Sequence, residues 1–285
     1  MKSRACLYAS PVRGLKSYFD MIDVAVEFGL DNVETINSYE LREPDVEFAK
    51  RLREHADKKG VRFPCVSVGL NLVGDSTREM TEKVKKYADV ASILGSPYLH
   101  HTIALECRNP RVIEENRTLY YKQGLEAVRA VYDYAAERGV RTVFEDQGYL
   151  FNGVSAFGEF LSDVGRDVGV VADFGNILFV DEVVEDFIPV FADRIVNVHI
   201  KDYIVTPMGD GERNPKDFYS RGGNRLVDCL FGEGVVNMEK GFAELKKIGY
   251  QGTFAMECIP LGEDPGANFA KNIAFINDYV KKMEE

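Results

Sequence analysis

Positive charge is in deficit in this sequence. Its 35 Lys and Arg stand against 46 Asp and Glu, for a formal net charge of −11. A protein that neutralises a phosphate backbone shows a basic patch or stripe, and none is visible here. The densest cationic run, Lys83, Lys85 and Lys86, shares its stretch with Glu79 and Glu82 and reads as a solvated helix face. Nucleic acid is therefore not an expected partner. The five cysteines (Cys6, Cys65, Cys107, Cys229 and Cys258) are scattered and odd in number, with no Cys-x-x-Cys pair. That disfavours a disulfide framework and a thiolate zinc site, and fits a reducing compartment. No run approaches the ~18 apolar residues of a membrane span. The opening MKSRACLYAS lacks the apolar segment of a signal peptide. These absences give the expectation of a cytoplasmic protein with no membrane partner. A glycine-rich first turn is also missing, since YASPVRGLKS is not G-x-G-x-x-G, which counts against a doubly wound dinucleotide fold. With no composition break or linker, residues 1–285 read as a single domain.

What the chain does contain is an alternation of two periods. Short apolar, β-branched runs begin at Arg4, Asn32, Val61, Pro97, Val140, Val168, Ile195 and Gly252. Amphipathic stretches lie between them, most clearly EFAKRLREHADKKG, TEKVKKYADVASILG, GLEAVRAVYDYAAERG and MEKGFAELKKIGY. Gly29, Gly60, Gly95, Gly139 and Gly249 each stand where a helix would end before the next strand, as C-cap glycines do. Eight strand–helix units in a chain of this length predict an α/β fold, a (β/α)8 TIM barrel. One long stretch, 203–233, follows the seventh strand and reads as a loop over the C-terminal mouth, where such barrels keep their chemistry.

Four successive strands finish with residues of metal-ligand type. They are Glu145 in VFED, Asp173 in VVADFGN, His199 in NVHIKD and Glu257 in FAMEC, spaced by 28, 26 and 58 residues. The first two spacings match one βα unit, and the third exceeds it by about the length of the 203–233 loop. His199 alone reads as a quiet core histidine. Four such side chains converging on one mouth are another matter, because buried charges are paired or bound to metal. Three carboxylates and one imidazole suit one divalent cation, with Mn²⁺ the first expectation and Mg²⁺, Co²⁺ or Zn²⁺ the alternatives. Other strand ends offer substrate contacts: Glu34, His101 (preferred over His100 for facing the mouth), Asn176 and Lys201. Tyr8, Phe174 and Tyr203 are candidates for an apolar wall, and Arg213, Arg221 and Arg225 for an anion clamp.

These motifs, with GLDNVETI at the second strand and the closing GEGVVNMEKGFAELKKIGYQGTFAMEC, resemble the xylose-isomerase-like sugar phosphate isomerase/epimerase superfamily of divalent-metal TIM barrels. The resemblance spans nearly the whole chain and places that family's metal set on Glu145, Asp173, His199 and Glu257. It implies an isomerase or epimerase of a sugar, keto-sugar or related polyol, working through an enediolate formed next to a metal-bound carbonyl. Glu145 and Glu257 would be its acid/base pair. The alternative it implies is a dehydratase of a keto-inositol or keto-acid; an apurinic-type DNA repair endonuclease is further off, because four histidines supply a trinuclear zinc site poorly. A small-molecule carbohydrate is thus the expected partner, with homo-oligomers common among relatives. One departure stands out: several ketose epimerases carry a histidine three residues after the sixth-strand Asp, where this chain has Asn176. An amide can donate or accept there but cannot titrate near neutral pH.

Overall fold

Aspartate, serine and glycine set where the helices begin and end. Asp45 accepts from Phe48 N at 2.8 Å and starts helix α2 (Val46–Lys59), whose Phe48, Ala49, Leu52 and Ala56 make one buried stripe. Gly60 ends it at φ 72°, a left-handed value that costs glycine nothing. The other four glycines read as caps adopt the same conformation, with φ between 68° and 74°. Ser17 caps α1 (Tyr18–Glu27) by accepting from Asp20 N. Among the described residues the remaining α-helices are α3 (Thr77–Leu94), α4 (Arg117–Ala136), α5 (Val154–Val164), α6 (Val184–Val190), α7 (Met238–Lys247) and α8 (Pro265–Glu284). The computed structural model describes residues 3–8, 15–105, 114–207, 214, 217–257 and 264–285. Cys107, Cys258 and Arg213 lie outside the described residues.

The apolar runs become parallel strands, shorter than the runs themselves. They are β1 (Ala5–Tyr8), β2 (Val33–Glu34), β3 (Val66–Val68), β4 (Tyr98–His101), β5 (Arg141–Glu145), β6 (Gly169–Asp173) and β7 (Ile195–Ile200). The eighth barrel strand is β11 (Phe254–Met256). Within VRFPCVSV the continuous strand begins at Val66, after Pro64, which has no N–H to give, and only an isolated bridge at Arg62 precedes it. The sheet runs β2-β1-β11-β7-β6-β5-β4-β3, and parallel bridges Thr35–Val66 and Asn32–Arg62 join its two edges. The result is a nearly closed (β/α)8 barrel. Small apolar clusters fill its inside, Cys65 with Val143 and Val171, and Cys6 with Tyr8 and Ala255. The main core lies between the strands and the ring of helices. No helix among the described residues is long and apolar enough to cross a membrane.

The 203–233 stretch, expected as a loop, contains a second sheet. Strands β8 (Tyr203–Thr206), β9 (Phe218–Tyr219) and β10 (Arg225–Asp228) form an antiparallel sheet in the order β8-β10-β9. Sequence periodicity hides it because its strands are two to four residues long. Asp202 anchors the segment: its carboxylate accepts from the N–H groups of Tyr203, Gly232, Gly234 and Val236 at 2.9–3.1 Å. Of the arginines read as an anion clamp, Arg221 donates to the Tyr149 carbonyl and Arg225 pairs with Asp217 at 2.6 Å. Both therefore hold this segment to itself or to the barrel.

Candidate metal centre

The period-two alternation of a strand decides which side chains enter the barrel. On β5 and β6 the inward set is Val143 then Glu145, and Val171 then Asp173; on β7 it is Asn197 then His199, with Lys201 following. Register brings these to one level: Asp173 pairs with His199, and His199 with Ala255, two residues before Glu257. Ligand-type atoms of Glu145, Asp173, His199 and Glu257 consequently lie within 4.8 Å of one another.

Both ring nitrogens of His199 are engaged. Nδ1 sits 2.7 Å from Glu145 Oε1 and 3.1 Å from Glu257 Oε2, while Nε2 sits 2.9 Å from Glu34 Oε1. Glu34 is fully buried and also accepts from Ser67 Oγ at 2.5 Å and from Asn197 Nδ2 at 2.9 Å. An ionised carboxylate only accepts, so Glu34 holds the hydrogen on Nε2. In the neutral ring, the form that binds a metal, this leaves the lone pair on Nδ1, whereas in the imidazolium Nδ1 also donates to the other carboxylates. Asp173 divides its two oxygens. Oδ1 accepts from Gly175 N and Asn176 N at 2.7 and 2.8 Å, whereas Oδ2 is buried without a hydrogen bond and has Lys201 Nζ at 3.4 Å. Lys201 also pairs with Glu257 at 2.8 Å and donates to Asn176 Oδ1 at 3.1 Å. The two outer carboxylates differ in access: the Glu257 side chain is 25% exposed, that of Glu145 only 2%.

So many acids in one buried space compete for protons. Burial pushes Glu145 up to about 8, against the pull of His199. Burial and the neighbouring Asp173 push Asp146 well up too; its Oδ1 accepts from Asp173 N at 2.8 Å. Burial also acts to raise Glu257, but the charges of Lys201 and His199 outweigh it and hold that carboxyl below its ordinary range. Burial disfavours the His199 imidazolium, yet Glu34 and Glu145 keep it well above the usual histidine value. His100 is pushed down to about 3 by burial and by the His199 charge, so it stands neutral.

Of the side chains expected here, Glu145, Asp173, His199, Glu257, Lys201 and Asn176 are brought together. Glu34 is present as well, but at the back of His199, where it bonds to protein groups. His101 is the correction. Its ring packs against Phe144 with centroids 5.1 Å apart, and it is His100 that enters the cluster, with Nδ1 2.9 Å from Ser67 Oγ and the His199 ring 5.5 Å away. Two adjacent histidines must point to opposite sides, and only the register of β4 against β3, pairing His100 with Ser67, says which goes in. Tyr8 is the expected wall residue that reaches the site, its ring 5.1 Å from His199; Phe174 packs on Phe242, and Tyr203 on Phe179. Ser67 and Asn197 were missed. Asn197 was findable, two residues before His199 and so on the same face of its strand.

A family model described as a xylose isomerase-like TIM barrel matches residues 22–279. A search of curated proteins finds no match. Among solved structures, a xylose isomerase domain protein from Planctomyces limnophilus superposes with a TM-score of 0.78 at 19% identity, covering 99% of this chain and 98% of that one. D-psicose 3-epimerase from Clostridium cellulolyticum H10, solved with D-tagatose, gives 0.74 at 17% identity with full coverage of both chains. The probable 3-DHS dehydratase AsbF from Bacillus anthracis gives 0.73 at 17%, covering 97% and 99%.

Proposed function

Since the chain belongs to the xylose isomerase-like TIM-barrel family, we propose that it is a divalent-metal-dependent isomerase or epimerase of a sugar, keto-sugar or related polyol. One observation carries this reading: Glu145 and Glu257 approach the same nitrogen of His199, beside an Asp173 oxygen that has no hydrogen bond. Such a set fits a cation. It offers three carboxylates and an imidazole whose tautomer is already fixed from behind by Glu34. Glu145, Asp173, His199 through Nδ1 and Glu257 would hold the ion, which when bound supplies positive charge to stabilise a developing oxyanion. Mn²⁺ remains the first expectation.

The chain's own residues carry the proton. Glu257, open to the mouth and kept ionised by Lys201, takes a proton from substrate carbon. Glu145, the other carboxyl beside the His199 nitrogen, returns one. Asn176, in place of a titrating histidine, holds the Lys201 ammonium and can orient a hydroxyl. Only His100 and His199 of the four histidines enter the cluster, since His55 stands on α2 bonded to Asp23 and His101 packs on Phe144. That supply suits a sugar isomerase better than a three-zinc endonuclease. The likeness to a dehydratase supports a second reading, in which the same abstraction ends in loss of a β-hydroxyl.

Metal analysis joined to proton exchange in deuterated water, over a panel of ketoses and keto-inositols, tests both readings. One ion per chain with exchange at a substrate carbon is expected. Exchange without an enone product separates isomerisation from dehydration, and three zinc ions per chain would overturn both.

A further inference from the structure

A cavity of about 720 Å³ opens at the end of the barrel opposite the carboxylate cluster. Its walls show which end: Arg4 precedes β1, Phe63 precedes β3, Tyr98 begins β4 and Thr253 precedes β11. We propose that this cavity is a second binding site, for a small molecule bearing a phosphate, sulfonate or carboxylate group on an apolar or aromatic body.

Charge is the first support. In a chain of net charge −11, three arginines line the cavity (Arg4, Arg53 and Arg62) and no Asp or Glu does among the described residues. Arg53 and Arg62 are partly neutralised by Asp57 at 2.8 Å and Asp31 at 3.4 Å. Arg4 differs. Its guanidinium donates to the Gly252 and Tyr250 carbonyls at 2.8 and 2.9 Å and lies over the Tyr250 and Phe254 rings. Those partners fix its position but bring no full negative charge, and it forms no ion pair among the described residues. Burial pulls its pKa down, against the opposing pull of Tyr250 and of the Glu284 carboxylate. A fixed guanidinium fork beside open space is suited to an oxyanion.

Shape is the second. The volume falls within the range of small-molecule pockets, and Phe63, Pro64, Tyr98 and Tyr250 give the walls an apolar and aromatic character. Asn197 and Thr253 also line it. The Asn197 amide bonds to Glu34, so the cavity backs onto the metal centre while sharing none of its candidate ligands.

Phenyl phosphate is a suitable probe, titrated calorimetrically into the metal-loaded protein. One saturable equivalent per chain is expected, with phenol and inorganic phosphate each binding at least roughly tenfold more weakly. Arg4→Gln and Arg62→Gln should each weaken phenyl phosphate by roughly tenfold, the loss expected for a charge-assisted contact. Lys201→Gln, at the opposite mouth, should leave it unchanged. The Arg62 side chain is 66% exposed, so that variant decides the question even where Arg4→Gln fails to fold. Absence of saturable binding, or binding that survives Arg62→Gln and is lost in Lys201→Gln, would overturn the assignment.

Discussion

Glu34 Oε1 lies 2.9 Å from His199 Nε2, on the far side of the ring from Glu145 and Glu257. A histidine presents one lone pair in its neutral form, and the partner of the other nitrogen decides which. Glu34, held by Ser67 and Asn197, makes that decision for Nδ1.

Replacing Glu34 by Gln should therefore weaken metal binding by roughly 10–100-fold, the usual effect of losing a carboxylate behind a ligating histidine. Titration of chelator-treated protein with Mn²⁺ measures it, and nitrogen NMR of the imidazole reports the tautomer. Unchanged affinity would remove Glu34 from this role.

Glu257→Gln should lower proton exchange at the substrate carbon by roughly 10²–10⁴-fold, the contribution of one positioned acid–base group. Its side chain is partly exposed, so the melting temperature should hold near that of the parent. Exchange at the parental rate would sink the proposed base.

Acidity should govern the metal-free protein. Glu145, raised by burial to about 8 from an ordinary 4.5, binds its proton more tightly when folded than when unfolded. Its stabilisation is complete below the unfolded value and is lost as pH climbs from there through about 8. Asp146 and His199, also raised, act with the same sign. Chelated protein should thus melt earlier as pH rises from about 6 to about 9, and the rise in Tm on adding metal should grow over the same window. A metal-induced shift independent of pH would contradict this.

Gly175→Ala tests how tightly the turn after β6 is packed. An added Cβ would come within 2.8 Å of both Lys201 Cβ and Tyr203 Cε2. Overpacking of this kind costs about 1–3 kcal/mol. A drop in Tm together with weaker activity is expected, because Lys201 would be displaced from Glu257 and Asp173. A variant as stable as the parent would show that the contact yields.

The barrel was legible because its signals are local. Glycines at helix ends, apolar runs of strand length and the spacing of Glu145, Asp173 and His199 all repeat with the βα unit, and each needs only neighbouring residues to form. The four ligand-type residues were legible for the same reason, as each ends its own strand. The sheet formed by 203–206, 218–219 and 225–228 was not, since strands this short carry no readable period and depend on pairing across some twenty residues.

The sequence by itself determined the architecture and the chemical character of the mouth, through periodicity and residue type. Only the tertiary structure decided that His100 rather than His101 faces inward, that Glu34 orients His199 from behind, and that three arginines meet at the opposite end. Strand register, barrel closure and the approach of side chains from β2, β3 and β7 are long-range geometry, and no stretch of chain contains them alone.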